Sequence, residues 1–306
     1  MSFERIRHRL ESGRPLVVDA DNGACLRNRG HALDMPGALG RLLRESANEV
    51  LAHYRHEVES RVDVLTALTA ETTPRALAEV GMQHRAAALT GRALELAFDA
   101  AGSEQHPVAV AGVLGSDLVG PTDVQRMTEE LVEHAERLHA AAAELVIARG
   151  QGSRLGLLAA VSAAGRTRVP TWAVVEYDAE HASGAMLPGH LAQQLCDAGA
   201  SLVLFEVPSV AVGLAELAAA SGTLTSFGLK AGVLLAASAN AVRGFGDDSS
   251  DPRVWVERAL DLTKAGARVI GGGAGTTEAH TRALATALGV LHPSSFPRSR
   301  ASTAHE

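Results

Sequence analysis

The sequence has few cysteines and no long apolar segment. Its 306 residues include only two cysteines, Cys25 and Cys196, too few for a disulfide scaffold or a cysteine-rich zinc site. The N-terminal segment, MSFERIRHRLESG, lacks the apolar core of a signal peptide. No apolar run reaches the roughly 18 residues that a membrane span needs. These absences predict a cytoplasmic protein in a reducing compartment.

The charge balance excludes partners that bind by general electrostatic attraction. The chain has 28 basic and 35 acidic residues, giving a net charge of −7, so we expect no nucleic-acid partner and no membrane partner. It is 46% hydrophobic and 21% charged, which is ordinary for a globular protein and excludes general disorder.

Short apolar segments alternate with longer amphipathic ones. Eight segments rich in β-branched residues predict buried strands: 15–20, 62–67, 107–114, 144–149, 170–176, 200–207, 231–238 and 267–273. Helical spacing of apolar residues predicts long helices between them, including 38–60, 75–102, 122–143 and 252–266. This order predicts a single α/β domain, a (β/α)₈ TIM-type barrel over 1–291, with a C-terminal tail at 292–306. The alternative is an open doubly wound sheet, but no Gly-x-Gly-x-x-Gly run follows the first strand.

Charged residues end several predicted strands, and in such a barrel these ends form the active-site mouth. Asp19 and Asp21 follow the first strand, while Arg149, Glu176 and Glu206 end the fourth, fifth and sixth. Crowded carboxylates raise one another's pKa and suit acid–base catalysis, or they bind a hard divalent cation. The alternative is that they are solvated loop carboxylates or partners of Arg149.

The last two predicted strands lead into small residues. The seventh leads to Ser238 and Asn240, and the eighth ends in Gly271, Gly272 and Gly273. Glycines allow main-chain amides to approach a ligand closely, and a helix starting shortly afterwards would favour an anion. The alternative is a tight turn with nothing bound.

One group of residues on a predicted helix has the spacing of metal ligands. His53, His56 and Glu57 stand at i, i+3 and i+4, but barrel helices lie outside the barrel, so we predict a solvated helix face. The same interpretation applies to His134 and His139.

The two cysteines receive different interpretations. Cys25 follows the first strand closely and is a candidate nucleophile at the mouth, although the sequence assigns no base to activate it. Cys196 falls in a helical pattern and is interpreted as a small core residue.

Several of these segments together resemble the homocysteine S-methyltransferase family over nearly the whole barrel. VVDADNGACLRNRG (17–30) is similar to the family's Asp-Gly-Gly/Ala-x-Gly-Thr-x-Leu opening, and 62–77, 108–116 and 184–190 are similar to internal motifs. AGARVIGGGAGTTEAHTRAL (265–284) resembles the closing Gly-Ala-x-Ile-Ile-Gly-Gly-Cys-Cys-Gly-Thr-x-Pro-x-His motif most specifically. The resemblance implies methyl transfer to homocysteine sulfur, with the thiol bound to zinc held by three cysteines.

The chain departs from the family pattern at the positions that hold zinc. Gly273 and Ala274 stand where the family has paired cysteines, and Phe205–Glu206 stands near the third. We therefore expect no cofactor and no zinc, because neither a glycine nor an alanine side chain can bind a metal.

The resemblance also bears on the substrate site. Arg149 aligns with a glutamate expected to hold the substrate amino group, whereas Asp19 is retained. The reversed charge favours a carboxylate or phosphate ligand. The substrate-binding candidates are Asp19, Arg149 and the three glycines 271–273, and the catalytic candidates are Asp19, Asp21, Glu176 and Glu206.

Three hypotheses follow. The first is an atypical family barrel that has lost zinc–thiolate chemistry and acts as a partner or regulatory subunit, bound to another protein or to copies of itself. The second is a repurposed enzyme that binds a small anionic molecule through Arg149. The third is a thiol methyltransferase that works without the usual zinc.

Overall fold

Eight parallel strands close into a barrel in the computed structural model, which describes residues 2–103, 106–115, 123–177, 186–237 and 251–291. The strands are β1 Leu16–Val18, β2 Val64–Ala67, β3 Ala109–Gly115, β4 Leu145–Arg149, β5 Thr171–Glu176, β6 Ala200–Val207, β7 Lys230–Leu235 and β8 Val269–Gly272. Pairing of β1 with both β2 and β8 closes the sheet. Each overlaps a predicted strand, so the predicted barrel is confirmed.

Helices surround this barrel within the described residues. They are α1 Ser2–Glu11, α2 Asn22–Asn28, α3 Ala38–Glu45, α4 Ala47–Glu59, α5 Pro74–Ala78, α6 Ala86–Ala101, α7 Val124–Ala140, α8 Arg154–Arg166, α9 Gly189–Asp197, α10 Val210–Ser226, α11 Pro252–Lys264 and α12 Glu278–Leu291. None of these helices has both the length and the apolar character needed to cross a membrane.

Two predicted long helices are each divided. The segment 38–60 is broken at Ser46, whose backbone (φ −138°, ψ 45°) is not helical. The segment 75–102 is broken around Gly81, which has a φ of +71° that suits glycine. Amphipathic spacing continued across both breaks, so the prediction of single helices was wrong there.

The N-terminal end of the barrel is covered by α1, which the sequence analysis did not predict. Phe3, Ile6 and Leu10 pack against the side chains that fill the barrel interior. Arg9 forms an ion pair with Asp63, the residue immediately before β2. The opposite, C-terminal end is therefore the end open to ligands.

Every second residue of a strand faces the barrel interior, and on three neighbouring strands this alternation places a charged side chain at the open end. Ile147 on β4 and Val174 on β5 belong to the interior cluster, so Arg149 and Glu176, two residues further on, also face inward. Leu204 and Glu206 repeat this arrangement on β6, and Glu206 lies directly across from Glu176 in the register.

Some predictions concern residues outside the described ranges. Ser238 and Asn240, the last residue of the 108–116 segment and the first part of the 184–190 segment lie there. The predicted tail 292–306 lies there as well, so its boundary stays a prediction.

Candidate functional site

A cavity of about 300 Å³ opens at the C-terminal end of the barrel. Its lining comes mainly from the ends of the strands and the turns that follow them: Val18, Asp19, Ala20, Asp21, Asn22, Gly23, Leu39, Thr66, Ala67, Leu68, Ala70, Val113, Ile147, Arg149, Glu206, Leu234, Gly272, Gly273 and Ala274. This is the location at which TIM barrels carry their chemistry, and its size suits a small molecule.

Arg149 is held between two of the predicted carboxylates. Its Nη2 donates a hydrogen bond to Glu206, and its Nε lies 3.4 Å from Oε1 of Glu176. Burial alone would lower the pKa of Arg149, but the charges of Glu206 and Glu176 outweigh burial and raise it. The guanidinium is therefore already paired within the protein.

Glu206 has the environment of an acid–base group. Burial raises its pKa, Arg149 opposes this, and the charges of Glu176 and Asp21 raise it further. Glu176 also accepts a hydrogen bond from the Gly152 amide. Of the predicted mouth residues, the structure brings Asp21, Arg149, Glu176 and Glu206 into one electrostatically coupled group.

Asp19 lines the same cavity but binds the adjacent strand. Its Oδ2 accepts hydrogen bonds from the Thr66 amide (2.9 Å) and the Thr66 hydroxyl (2.8 Å). The side chain is buried, and burial raises its pKa to about 7, although the hydrogen bonds from Thr66 and Asn22 act to lower it. Asp19 can therefore gain or lose a proton at neutral pH.

Asp21 has a structural role in addition to its place at the mouth. Its Oδ1 accepts from the Ala24 amide (3.0 Å) at the start of α2, and its Oδ2 accepts from the Gly275 amide (3.0 Å). The Gly275 amide could otherwise bind an anion at the turn after β8. It is instead occupied by the Asp21 carboxylate.

Close packing explains the three glycines 271–273, which lie at the end of β8 and immediately after it. A Cβ at Gly272 would lie 2.1 Å from Thr276 Oγ1, and one at Gly273 would lie 2.9 Å from the main chain at Leu235 and Ala236. A Cβ at Gly271 would meet Val18 and Leu234 at 2.8 and 2.7 Å. Gly272 and Gly273 line the cavity, and their role in substrate binding stays a prediction.

A second polar cluster lies beside the mouth, between α2, α4 and the start of α12. Cys25, His53, Glu57 and Glu278 each place one potential ligand atom within 4.8 Å of those of the others. Cys25 is buried and does not line the cavity. Burial and the nearby Glu57 charge raise the pKa of its thiol, which makes it a poor nucleophile.

The predicted solvated histidine faces are wrong at three positions. His53, Glu57 and His134 are fully buried, whereas His56 and His139 are exposed. The reason is that barrel helices also pack against one another: α4 contacts α12, and α7 contacts α8. Burial lowers the pKa of His134 to about 3, with Arg137 adding to the effect.

The spacing of His53 and Glu57 was the only sequence signal for this cluster. Cys25 precedes Glu278 by most of the chain, and only closure of the barrel between β1 and β8 brings α2 and α12 together. Glu278 was therefore missed by the sequence analysis.

Comparison with known families agrees with this architecture. The sequence model described as homocysteine S-methyltransferase matches residues 16–288. The chain belongs to the homocysteine S-methyltransferase family. The predicted resemblance is thus confirmed over nearly the whole barrel. Comparison with curated proteins gave no match.

Solved structures show the same fold. The metallated form of the homocysteine methyltransferase MmuM from Escherichia coli has 19% identity and a TM-score of 0.74, covering 92% of this chain and 99% of that chain. Its oxidized form has 18% identity and a TM-score of 0.76, with the same coverage. 3-Dehydroquinate dehydratase from Geobacillus kaustophilus HTA426 has 13% identity and a TM-score of 0.53, covering 92% and 93%.

The residues at the family's zinc positions do not fit a thiolate site. Gly273 and Ala274 offer no sulfur, and the near-contact with β7 leaves no room for a Cβ at Gly273. The third position, at Phe205–Glu206, contributes a carboxylate that is paired with Arg149.

The prediction that the chain holds no metal finds no support in the structure. The Cys25, His53, Glu57 and Glu278 cluster offers sulfur, nitrogen and oxygen ligands in another place. Family membership and this cluster do not support the hypothesis of a barrel without any metal site.

Proposed function

We propose that the chain is a small-molecule transferase of this family that holds the cationic amino group of its substrate at the barrel mouth. The observation that carries the proposal is the excess of carboxyl groups there. Asp19, Asp21 and Glu206 line the cavity and Glu176 stands behind them, whereas the cavity lining has a single guanidinium.

The ion pairs of Arg149 bear on whether the site prefers a negatively or a positively charged ligand. The sequence analysis favoured an anion because of this arginine, but Glu206 and Glu176 both neutralise it. An incoming anion would have to displace one of these carboxylates, whereas an ammonium group adds favourable charge.

Asp19 is the residue that we assign to the amino group. It lies at the end of β1 in the cavity lining, and a bound ammonium group would favour its charged form. Its hydrogen bonds with Thr66 fix the carboxylate in place, which limits the ordering cost of binding. Glu206, with its raised pKa, is the candidate proton acceptor.

The test compares three thiols that differ in one charged group. L-Homocysteine has an amine and a carboxylate, 3-mercaptopropylamine keeps only the amine, and 4-mercaptobutanoate keeps only the carboxylate. Calorimetric titration and thermal shift should show binding of the two amines, and a ligand at 100 times its Kd should stabilise the fold by about 2.7 kcal/mol.

Variants locate the binding group. Asp19→Asn should weaken binding of both amines by roughly 10- to 100-fold, because a charged hydrogen bond is lost. Asp261→Asn, which changes an exposed carboxylate on α11 paired with Lys264, should leave binding unchanged. Tighter binding of 4-mercaptobutanoate or inorganic sulfate would overturn the proposal in favour of an anionic ligand. Absence of binding by all these compounds would favour the partner-subunit hypothesis.

A further inference from the structure

We propose that Cys25, His53, Glu57 and Glu278 form a closed zinc site beside the barrel mouth. This site is separate from the positions at which the family resemblance places zinc cysteines, and it stands independently of the proposed amine-binding function.

All four potential ligand atoms lie within 4.8 Å of one another, and two of their separations come close to those of a tetrahedral ion. Cys25 Sγ lies 3.9 Å from Glu57 Oε1, and His53 Nδ1 lies 3.4 Å from Glu278 Oε1. Zinc–ligand bonds of about 2.0 to 2.3 Å place neighbouring ligand atoms roughly 3.3 to 3.8 Å apart in a tetrahedron. A small movement of these side chains therefore suffices to complete the coordination.

Hydrogen bonds outside the cluster orient His53 toward a metal. Asn22 Nδ2 donates to the Thr66 hydroxyl (2.7 Å), so Asn22 Oδ1 is the atom that accepts from His53 Nε2. With the proton on Nε2, the lone pair of Nδ1 points toward Glu278 Oε1. His53 Nδ1 and Glu278 Oε1 are then two acceptors that face each other without a proton between them. A cation bound by both atoms would make this contact favourable.

Glu57 supplies a second, independent observation in favour of a cation site. Its side chain is fully buried on α4, and its Oε2 makes no hydrogen bond of good geometry among the described residues, although the Ala20 amide and the Thr281 hydroxyl lie near enough to the carboxylate to lower its pKa. A buried carboxylate oxygen without a partner is costly and calls for a proton or a metal.

The charges of the site balance around a divalent ion. The Cys25 thiolate and the Glu57 and Glu278 carboxylates contribute three negative charges, while Arg29 forms an ion pair with Glu278. One divalent cation together with the Arg29 guanidinium makes the group neutral, which lowers the cost of holding these charges in a mostly buried site. Sulfur, imidazole and carboxylate ligands together favour zinc over magnesium or calcium.

A zinc ion at this site would also help to hold residues of the barrel mouth in place. The metal-bound His53 would hold Asn22, whose side chain contacts Thr66 and, at 3.4 Å, Asp19 Oδ2. The four side chains leave no open coordination position for substrate, so the ion would act as a structural element and not as a catalyst.

The experiment measures metal directly in the untagged full-length chain. After purification with zinc and extensive dialysis, mass spectrometry should find about one zinc per chain, and replacement by cobalt(II) should give a thiolate-to-metal charge-transfer band. A wild-type chain that retains no zinc, and whose Tm responds neither to zinc nor to a chelator, would overturn the proposal. This readout needs no substrate, so it can fail while amine binding holds.

Cysteine variants provide a matched pair. Cys25→Ala should lose the zinc and the charge-transfer band, whereas Cys196→Ala, at a half-buried cysteine outside the cluster, should keep both. Should Cys25→Ala fail to fold, Cys25→Ser and Glu278→Gln offer gentler changes, each expected to weaken zinc retention at least tenfold. Full zinc retention in a folded Cys25→Ala variant would contradict the proposal.

Discussion

Asp19 stands between the mouth cavity and the candidate zinc site. It contacts Thr66 and Asn22 on one side, and its charge acts on buried Glu57 and Tyr54 on the other. Removal of a carboxylate from water makes its charged form expensive. The protonation of this one residue is therefore coupled to the stability of the fold.

We expect the stability of the chain to fall with rising pH because of Asp19. Its pKa is about 7 in the fold against 3.8 for a free side chain, so the native state holds more protons than the unfolded state between these values. The free energy of unfolding then falls by up to about 1.4 kcal/mol per pH unit across this window.

Urea unfolding of Asp19→Asn from pH 4 to pH 7 tests this expectation. The variant should lose the part of the slope that Asp19 contributes, because an amide does not titrate, whereas Glu57 and Glu206, whose pKa values burial also raises, should keep their contributions. Asp261→Asn, at the exposed site, should keep the native slope. Equal slopes in all three proteins would show that another group causes the pH dependence.

The end of β8 shows how one element limits the chemistry of the mouth. Position 273, immediately after β8, lies so close to the main chain of Leu235 and Ala236 at the end of β7 that it has no space for a side chain. A family-like cysteine therefore cannot be reintroduced there without displacing the β7 main chain.

We expect Gly273→Ala to destabilise the chain by about 1 to 3 kcal/mol through this overpacking. Gly222 provides the control, since it lies inside α10, has no positive φ, and has no neighbouring atom within 4 Å of the place that a methyl group would take. Gly222→Ala should raise stability by about 1 kcal/mol through helix propensity. Denaturant midpoints measure both, and a neutral Gly273→Ala would show that β7 yields easily.

At the scale of the whole molecule, the pairing of β1 with β8 joins the first and last strands of the barrel. β1 pairs with β8 from Leu16 to Val18, and α12 packs against both β1 and α4. The mouth, the zinc candidates and the bottom plug α1 all depend on this closed arrangement.

Truncation tests where the barrel ends. A chain of residues 1–291 should keep its Tm within a few degrees, because 292–306 is rich in Pro and Ser without an apolar face. A chain ending at Lys264 loses β8 and α12 and should show no cooperative unfolding. Thermal unfolding followed by circular dichroism compares them, and a large loss of stability in 1–291 would show that the tail packs on the barrel.

The sequence alone determined the barrel and the charged residues at its mouth. Alternation of short β-branched segments with amphipathic ones is a local property, and strand ends in this fold always meet at one edge. It also determined that Gly273 and Ala274 cannot supply thiolate ligands. The helix breaks at Ser46 and Gly81 were less visible because amphipathic spacing continued across them.

Only the tertiary structure decided what these residues do to one another. It paired Arg149 with Glu206 and Glu176, and these ion pairs are the reason that we propose an amine as the ligand in place of an anion. It also buried His53 and Glu57 against Cys25 and Glu278. Both outcomes depend on contacts between residues far apart in the chain, and no local pattern encodes the distance between two side chains that meet only when the barrel closes.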